Sequence, residues 1–112
     1  HHTPLDELPE AVAVIDPKLP FSSYGFTGLA GVGVAFKLLQ AFYTNLGRTE
    51  LLDRVIDLVA IGTVADMSPP VGENRYLIEH GLQLMNESPQ AVNCLGRTDG
   101  NPTNSYVQNE QD

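Results

Sequence analysis

The chain has 112 residues, 42% of them hydrophobic, and its 14 acidic against 6 basic side chains give a formal net charge of −8. That length holds one small domain with one core; no apolar run reaches the ~20 residues that cross a bilayer, and the lone Cys94 cannot close an internal disulfide, so a cytoplasmic location is expected. The acidic balance argues against a free-standing nucleic-acid-binding module, which rests on Lys and Arg neutralising phosphates, and it suits hard divalent cations, which take oxygen ligands.

The chain opens without an initiator Met, on His1-His2-Thr3-Pro4, and reads as an internal piece of a larger protein. Pro4 and Pro9 bracket a short acidic loop with Asp6, Glu7 and Glu10. Ala11 to Ile15 is a Val-rich apolar run, bounded by Pro9 and by Asp16-Pro17, and is expected to be a buried strand of parallel type. Residues 16–28 are a loop, punctuated by Pro17, Pro20, Gly25 and Gly28. Ala35, Leu38, Leu39, Phe42 and Leu46 then fall on one helical face, with Gly31 and Gly33 near the start and Gly47 as the stop.

A second helix is expected from Thr49 as N-cap through Ala60, with Glu50 and Asp53 near its positive end. From Leu58 to Ala65 nearly every residue is apolar or small, which predicts burial all round until the single charge at Asp66. Pro69-Pro70 separates this from a third helix over roughly Glu73 to Met85, with Leu77, Ile78, Leu82 and Met85 inward. Residues 98–112 are nearly all polar, with only Tyr106 and Val107 apolar, and read as a connector whose packing partners lie beyond Asp112. The fold class is therefore α/β and helix-rich, with at least one parallel-type strand near residues 11–15.

Asp66 demands an account, because a carboxylate ending a buried apolar segment costs several kcal/mol unless it is paired or binds a metal. It is a helix-end aspartate capping the turn at Ser68, or one paired with a nearby Arg, or a metal ligand. Adjacent His1 and His2 are either the remnant of a purification tag or part of a site. Gly28, Gly31 and Gly33 precede a helix, where a phosphate cradle would sit. Phe36 stands where a third glycine of the dinucleotide fingerprint is needed, so close packing of the helix start is the better reading. Arg75 either contacts phosphate through its planar fork or pairs with a carboxylate and supports the local structure. Lys37 reads as a helix-surface residue, Tyr24 and Phe26 as local packing ahead of base stacking, and Cys94 as a small inert residue without an adjacent base.

Four segments, in order, decide between these readings. The stretch HHTPLDELPEAVAVIDPK resembles the region around the Asp-His-His motif of the DHH phosphoesterases, in particular the RecJ-type exonucleases specific for single-stranded DNA. Pro4, Leu8-Pro9, Ala11 and Pro17-Lys18 follow the family's order, with Asp16 where Asn is usual. LAGVGVAFKL at 29–38, LVAIGTVAD at 58–66 and GENR at 72–75 are similar to the family's corresponding segments.

The resemblance implies an incomplete Rossmann-like DHH domain over 1–97 and the start of a connector toward a second domain over 98–112. It implies that His1 and Asp66 bind a divalent metal, Mn²⁺ or Mg²⁺, in a two-metal site, and that His2 faces the scissile phosphate. It implies 5′-to-3′ hydrolysis of single-stranded DNA in repair and recombination, with the remaining domains of the parent chain as partners and no membrane. The family's Asp immediately before the two histidines, and its Asp-x-Asp cluster, have no counterpart in this sequence, so the chain alone is expected to be inactive. Two alternatives stand beside this reading: another DHH phosphoesterase, acting on oligoribonucleotides or cyclic dinucleotides, and a non-catalytic DHH-like scaffold.

Overall fold

The computed structural model describes residues 1–4 and 7–87. The expected connector over 98–112, the boundary at residue 97, Asp6 and Cys94 lie outside them. Among the described residues the architecture is helical: α1 spans Gly31–Asn45, a 3₁₀ helix spans Thr49–Arg54, α2 spans Ile56–Ala65 and α3 spans Gly72–Glu87. No helix here is long and apolar enough to cross a membrane.

The core forms where these helices meet. Leu29, Phe36, Leu52, Ile56, Val59 and Leu77 are buried together, and Phe26, Val32, Val34, Tyr43, Val55 and Leu84 pack around them. The face of α2 that carries Ile56, Val59, Ala60 and Thr63 is the sealed one. It packs mainly on α3. There the helices approach so closely that a Cβ at Gly81 would stand 2.5 Å from Ala60 Cβ and 2.6 Å from the Ile56 carbonyl. Two polar side chains inside this region satisfy themselves locally. Thr63 Oγ1 donates to the Val59 carbonyl at 2.7 Å, and the buried Asp57 accepts the Leu58 N–H at 2.7 Å, at the positive end of α2.

Both α1 and α2 end in the same way. After α1, Gly47 N–H donates to Thr44 O and Arg48 N–H to Tyr43 O; after α2, Met67 N–H donates to Val64 O and Ser68 N–H to Thr63 O. This is the Schellman pattern, in which the residue after the cap is left-handed. Gly47 has φ +65° and Met67 has φ +53°.

Five expectations change. Ala11–Ile15 is not a strand: the segment is irregular, Val12 is fully exposed and Ile15 is 54% exposed. A strand needs a neighbouring backbone to complete its hydrogen bonds, and among the described residues none lies alongside. The second helix does not run on from Thr49. Thr49–Arg54 is a 3₁₀ turn with no side-chain cap, and Val55, at φ −127° and ψ −10°, interrupts the helical path before α2.

The stretch from Leu58 to Ala65 is not buried all round, because Leu58, Ile61 and Val64 face outward. On α1 the expected face is the open one. Ala35, Leu38, Leu39, Phe42 and Leu46 are exposed, while Gly33 and Phe36 face the core. On α3, Leu77 is buried and Ile78 and Met85 are half-buried as expected, but Leu82 is exposed.

Candidate functional site

The sequence places His1 and Asp66 far apart, and the fold brings them together. Asp66 is the C-cap of α2, so the Schellman turn fixes the backbone on which its carboxylate stands. Ser68 Oγ donates to Asp66 Oδ2 at 2.8 Å and fixes the carboxylate's rotation. His1 approaches from the other side, with Nδ1 at 3.8 Å from the same Oδ2. Its ring lies over the first residue of α1: a Cβ at Gly31 would stand 3.1 Å from His1 Cδ2. The His1 and His2 rings are 4.2 Å apart between centroids and tilted by 50°, and His2 is exposed.

The 3.8 Å separation is too long for a hydrogen bond. Adjacent donors of an octahedral shell at ~2.1 Å stand ~3.0 Å apart, so the two atoms lie within reach of one cation once the pair closes by less than ~1 Å. They do not make a whole shell. Among the described residues no group of three or more His, Cys, Asp or Glu side chains converges on one point. Two of the readings of Asp66 meet here, since it accepts from Ser68 and also faces a histidine.

The other candidates divide. Gly31 lies beneath the His1 ring, which leaves little room for a side chain there. Gly33 does not: it is buried, and a Cβ there would meet Leu29 Cδ2 at 3.1 Å, so its smallness serves packing. Arg75 turns away along its own helix, where Nε donates to Glu79 Oε1 at 2.8 Å and the pair is well exposed. Phe26 packs against the core and between the glycines at 28 and 72.

Tyr24 and Lys37 meet at Glu73. The Tyr24 hydroxyl donates to Glu73 Oε1 at 2.6 Å, and Lys37 Nζ stands 2.7 Å from Glu73 Oε2. Burial opposes ionisation of Glu73, yet the contacts from Lys37 and Tyr24 outweigh it and hold the carboxyl below its ordinary range. Burial likewise opposes the Lys37 charge, and the contacts with Glu73 and Tyr24 reverse the balance and raise it. The Tyr24 phenol is raised by burial and then by donating to Glu73. Beside this cluster lies a cleft of ≈ 430 Å³ lined by Ile15, Pro17, Leu19, Phe21, Tyr24 and Lys37 among others; neither histidine nor Asp66 faces it.

Asn74 was not singled out from the sequence. It is wholly buried, and its Nδ2 donates to Gly28 O at 2.7 Å and to Pro69 O at 3.0 Å. Its Oδ1 has no partner. The signal was available, because Asn74 lies three and seven residues before Leu77 and Gly81, on the buried face of α3.

Comparison with known proteins agrees with the motifs. The chain is 49% identical over 85 residues to the single-stranded-DNA-specific exonuclease RecJ of Bacillus subtilis (strain 168), an alignment covering 76% of this chain and 10% of that protein. It is 45% identical over 92 residues to RecJ of Dickeya dadantii (strain 3937) and 41% identical over 92 residues to RecJ of Escherichia coli (strain K12), each covering 73% of this chain and 16% of the relative. The chain thus spans only 10% to 16% of the length of these relatives. No protein-family model matches it, and neither does any solved structure. Across about three quarters of its own length, the chain is a relative of the RecJ-type single-stranded-DNA-specific exonucleases.

Proposed function

We propose that this chain supplies one edge of the active site of a metal-dependent phosphodiesterase of the DHH type, which removes 5′-mononucleotides stepwise from single-stranded DNA in cytoplasmic repair and recombination. The observation that supports it most is the approach of His1 Nδ1 to within 3.8 Å of Asp66 Oδ2. On this reading the two are ligands of a divalent cation, and carboxylates elsewhere in the parent polypeptide complete the shells. The mixed imidazole and carboxylate donors suit Mn²⁺ better than Mg²⁺. Held by His1, Asp66 and further carboxylates, divalent cations would supply charge neutralisation at the phosphodiester and polarisation of its phosphoryl oxygens.

The chain's own residues do the rest. Ser68 fixes which oxygen of Asp66 faces the site. Gly31 leaves room for the His1 ring. The exposed His2 donates a hydrogen bond to a non-bridging phosphate oxygen, where negative charge builds up in the transition state. The α/β reading belongs here as well. In the parent polypeptide, Ala11–Ile15 pairs in a parallel sheet, and that sheet covers the open apolar stripe of α1.

The test uses the polypeptide encoded by the complete reading frame around this sequence, Mn²⁺ and end-labelled DNA. Mononucleotide release from the 5′ end of single strands is expected, with duplex DNA resistant. Asp66→Asn should abolish the reaction, and His2→Ala should slow it about 10²-fold. Full activity in Asp66→Asn would overturn the site. Preferential cleavage of oligoribonucleotides or cyclic dinucleotides would move the protein to another branch of DHH phosphoesterases, and no hydrolysis of any of these would favour a binding scaffold.

A further inference from the structure

Asn74, like Thr63, is a fully buried polar side chain near the site, at 0% exposure. An amide taken out of water costs about 1–3 kcal/mol unless hydrogen bonds recover it. Here the recovery is unusual in form. One nitrogen spends its two hydrogens on two different loops, at Gly28 O and Pro69 O, and the oxygen is left without a partner. An amide serving only its own helix would bond locally; this one joins positions 46 residues apart.

Both loops lead straight to the candidate ligands. Gly28 stands three residues before Gly31, on which the His1 ring rests, and buried Leu29 and Ala30 fix the interval. Pro69 stands three residues after Asp66, and the bonds from Met67 N–H and Ser68 N–H make that interval a rigid turn. Phe26 closes the same junction from outside: a Cβ at Gly28 or Gly72 would meet its ring at 3.0 or 2.9 Å. Displacing either carbonyl from Asn74 therefore displaces one side of the His1–Asp66 pair.

We propose that Asn74 is a positioning residue for that pair: its side-chain amide, shared between Gly28 O and Pro69 O, holds the loop beneath His1 and the turn after Asp66 at the spacing a divalent cation requires. The proposal rests on His1 and Asp66 being metal ligands.

The experiment measures Mn²⁺ affinity by titration calorimetry, with the free Mn²⁺ resonance signal as a second readout, in the polypeptide from the complete reading frame. Asn74→Ala should weaken Mn²⁺ about tenfold, as removal of an outer partner of a metal ligand does. The Mn²⁺ concentration for half-maximal hydrolysis should rise by the same factor, with KM for DNA unchanged. Leu77→Ala loosens the same helix without touching either loop, and its Mn²⁺ affinity should stay within about twofold of the parent although it unfolds earlier. Should Asn74→Ala not fold, Asn74→Ser is read in its place, since it stays neutral and small and cannot donate to both carbonyls at once. Equal loss in the Asn74 and Leu77 variants would reduce Asn74 to general support and overturn the proposal, as would unchanged Mn²⁺ affinity on substitution of Asn74. Asp66→Asn separates the two levels: if it leaves Mn²⁺ affinity unchanged, the ligand reading itself falls and the positioning role with it.

Discussion

Gly47 and Met67 occupy the same place in two equivalent turns, at φ +65° and +53°. Glycine meets no penalty there, whereas an L side chain in the left-handed region costs about 1–2 kcal/mol. Met67 gains little in return, since its side chain is 88% exposed. Met67→Gly should therefore stabilise the chain by a net of about 0.5–1 kcal/mol, after the extra backbone freedom glycine brings to the unfolded state. Urea unfolding should show a higher midpoint with an unchanged slope. Met67→Ala, which keeps the strained φ, should stay near the parent; an equal rise in both would show that the methionine side chain and not its backbone was unfavourable. The strained residue stands directly after Asp66, in the turn that ends α2. His1 and Asp66 stood out in the sequence because the residues around them carry an ordered series of motifs. Asn74 stood out less: the period that turns Leu77 inward also reaches Asn74, but the expected inward set did not include it, and nothing in the sequence said which carbonyls its amide would meet.

At the level of elements, α1 shows where periodicity stops informing. Two apolar stripes run along it. One, Ala35-Leu38-Leu39-Phe42-Leu46, fits a helical face well, and the other carries Val32, Gly33, Phe36 and Tyr43. A helix apolar on both sides is built for burial on both, and period alone does not say which side meets the α2–α3 pair. Glycines, Gly81 among them unread in the sequence, carry a further clue, because small residues mark where helix axes come closest. Gly81 on α3 is the sharpest case, facing Ala60 and Ile56 of α2. Gly81→Ala must push these helices apart or bend one of them, and is expected to cost about 1–3 kcal/mol, the range of overpacked cores. The gain in helix propensity from the same change, about 1 kcal/mol, reduces that loss without cancelling its larger values. Thermal unfolding followed by circular dichroism would check it. A melting temperature above the parent's would show that α2 and α3 are not in the close contact described. The strand expected at Ala11–Ile15 failed for a related reason: composition reports that a segment suits a sheet, and only a neighbouring backbone makes it one.

For the molecule as a whole, charge and site point in different directions, and the conflict is informative. Single-stranded DNA binds through cations that displace its counterions and through aromatic rings that stack on its bases. Of the six lysines and arginines, Lys37, Arg48 and Arg75 are engaged by Glu73, Glu50 and Glu79. With a net charge of −8, the long-range field of this chain repels phosphate. The 112-residue chain should therefore show no binding of a fluorescent single-stranded oligonucleotide by anisotropy, even at low salt without divalent cations, where electrostatic attraction would be strongest. Binding that weakened steeply with salt would contradict this, and would locate a cationic track on the chain itself. Adding Mn²⁺ gives a second arm. If His1 and Asp66 alone held the metal tightly, the bound cation would draw phosphate in and anisotropy would rise. Two donors leave most of an octahedral shell to water, so no rise is expected.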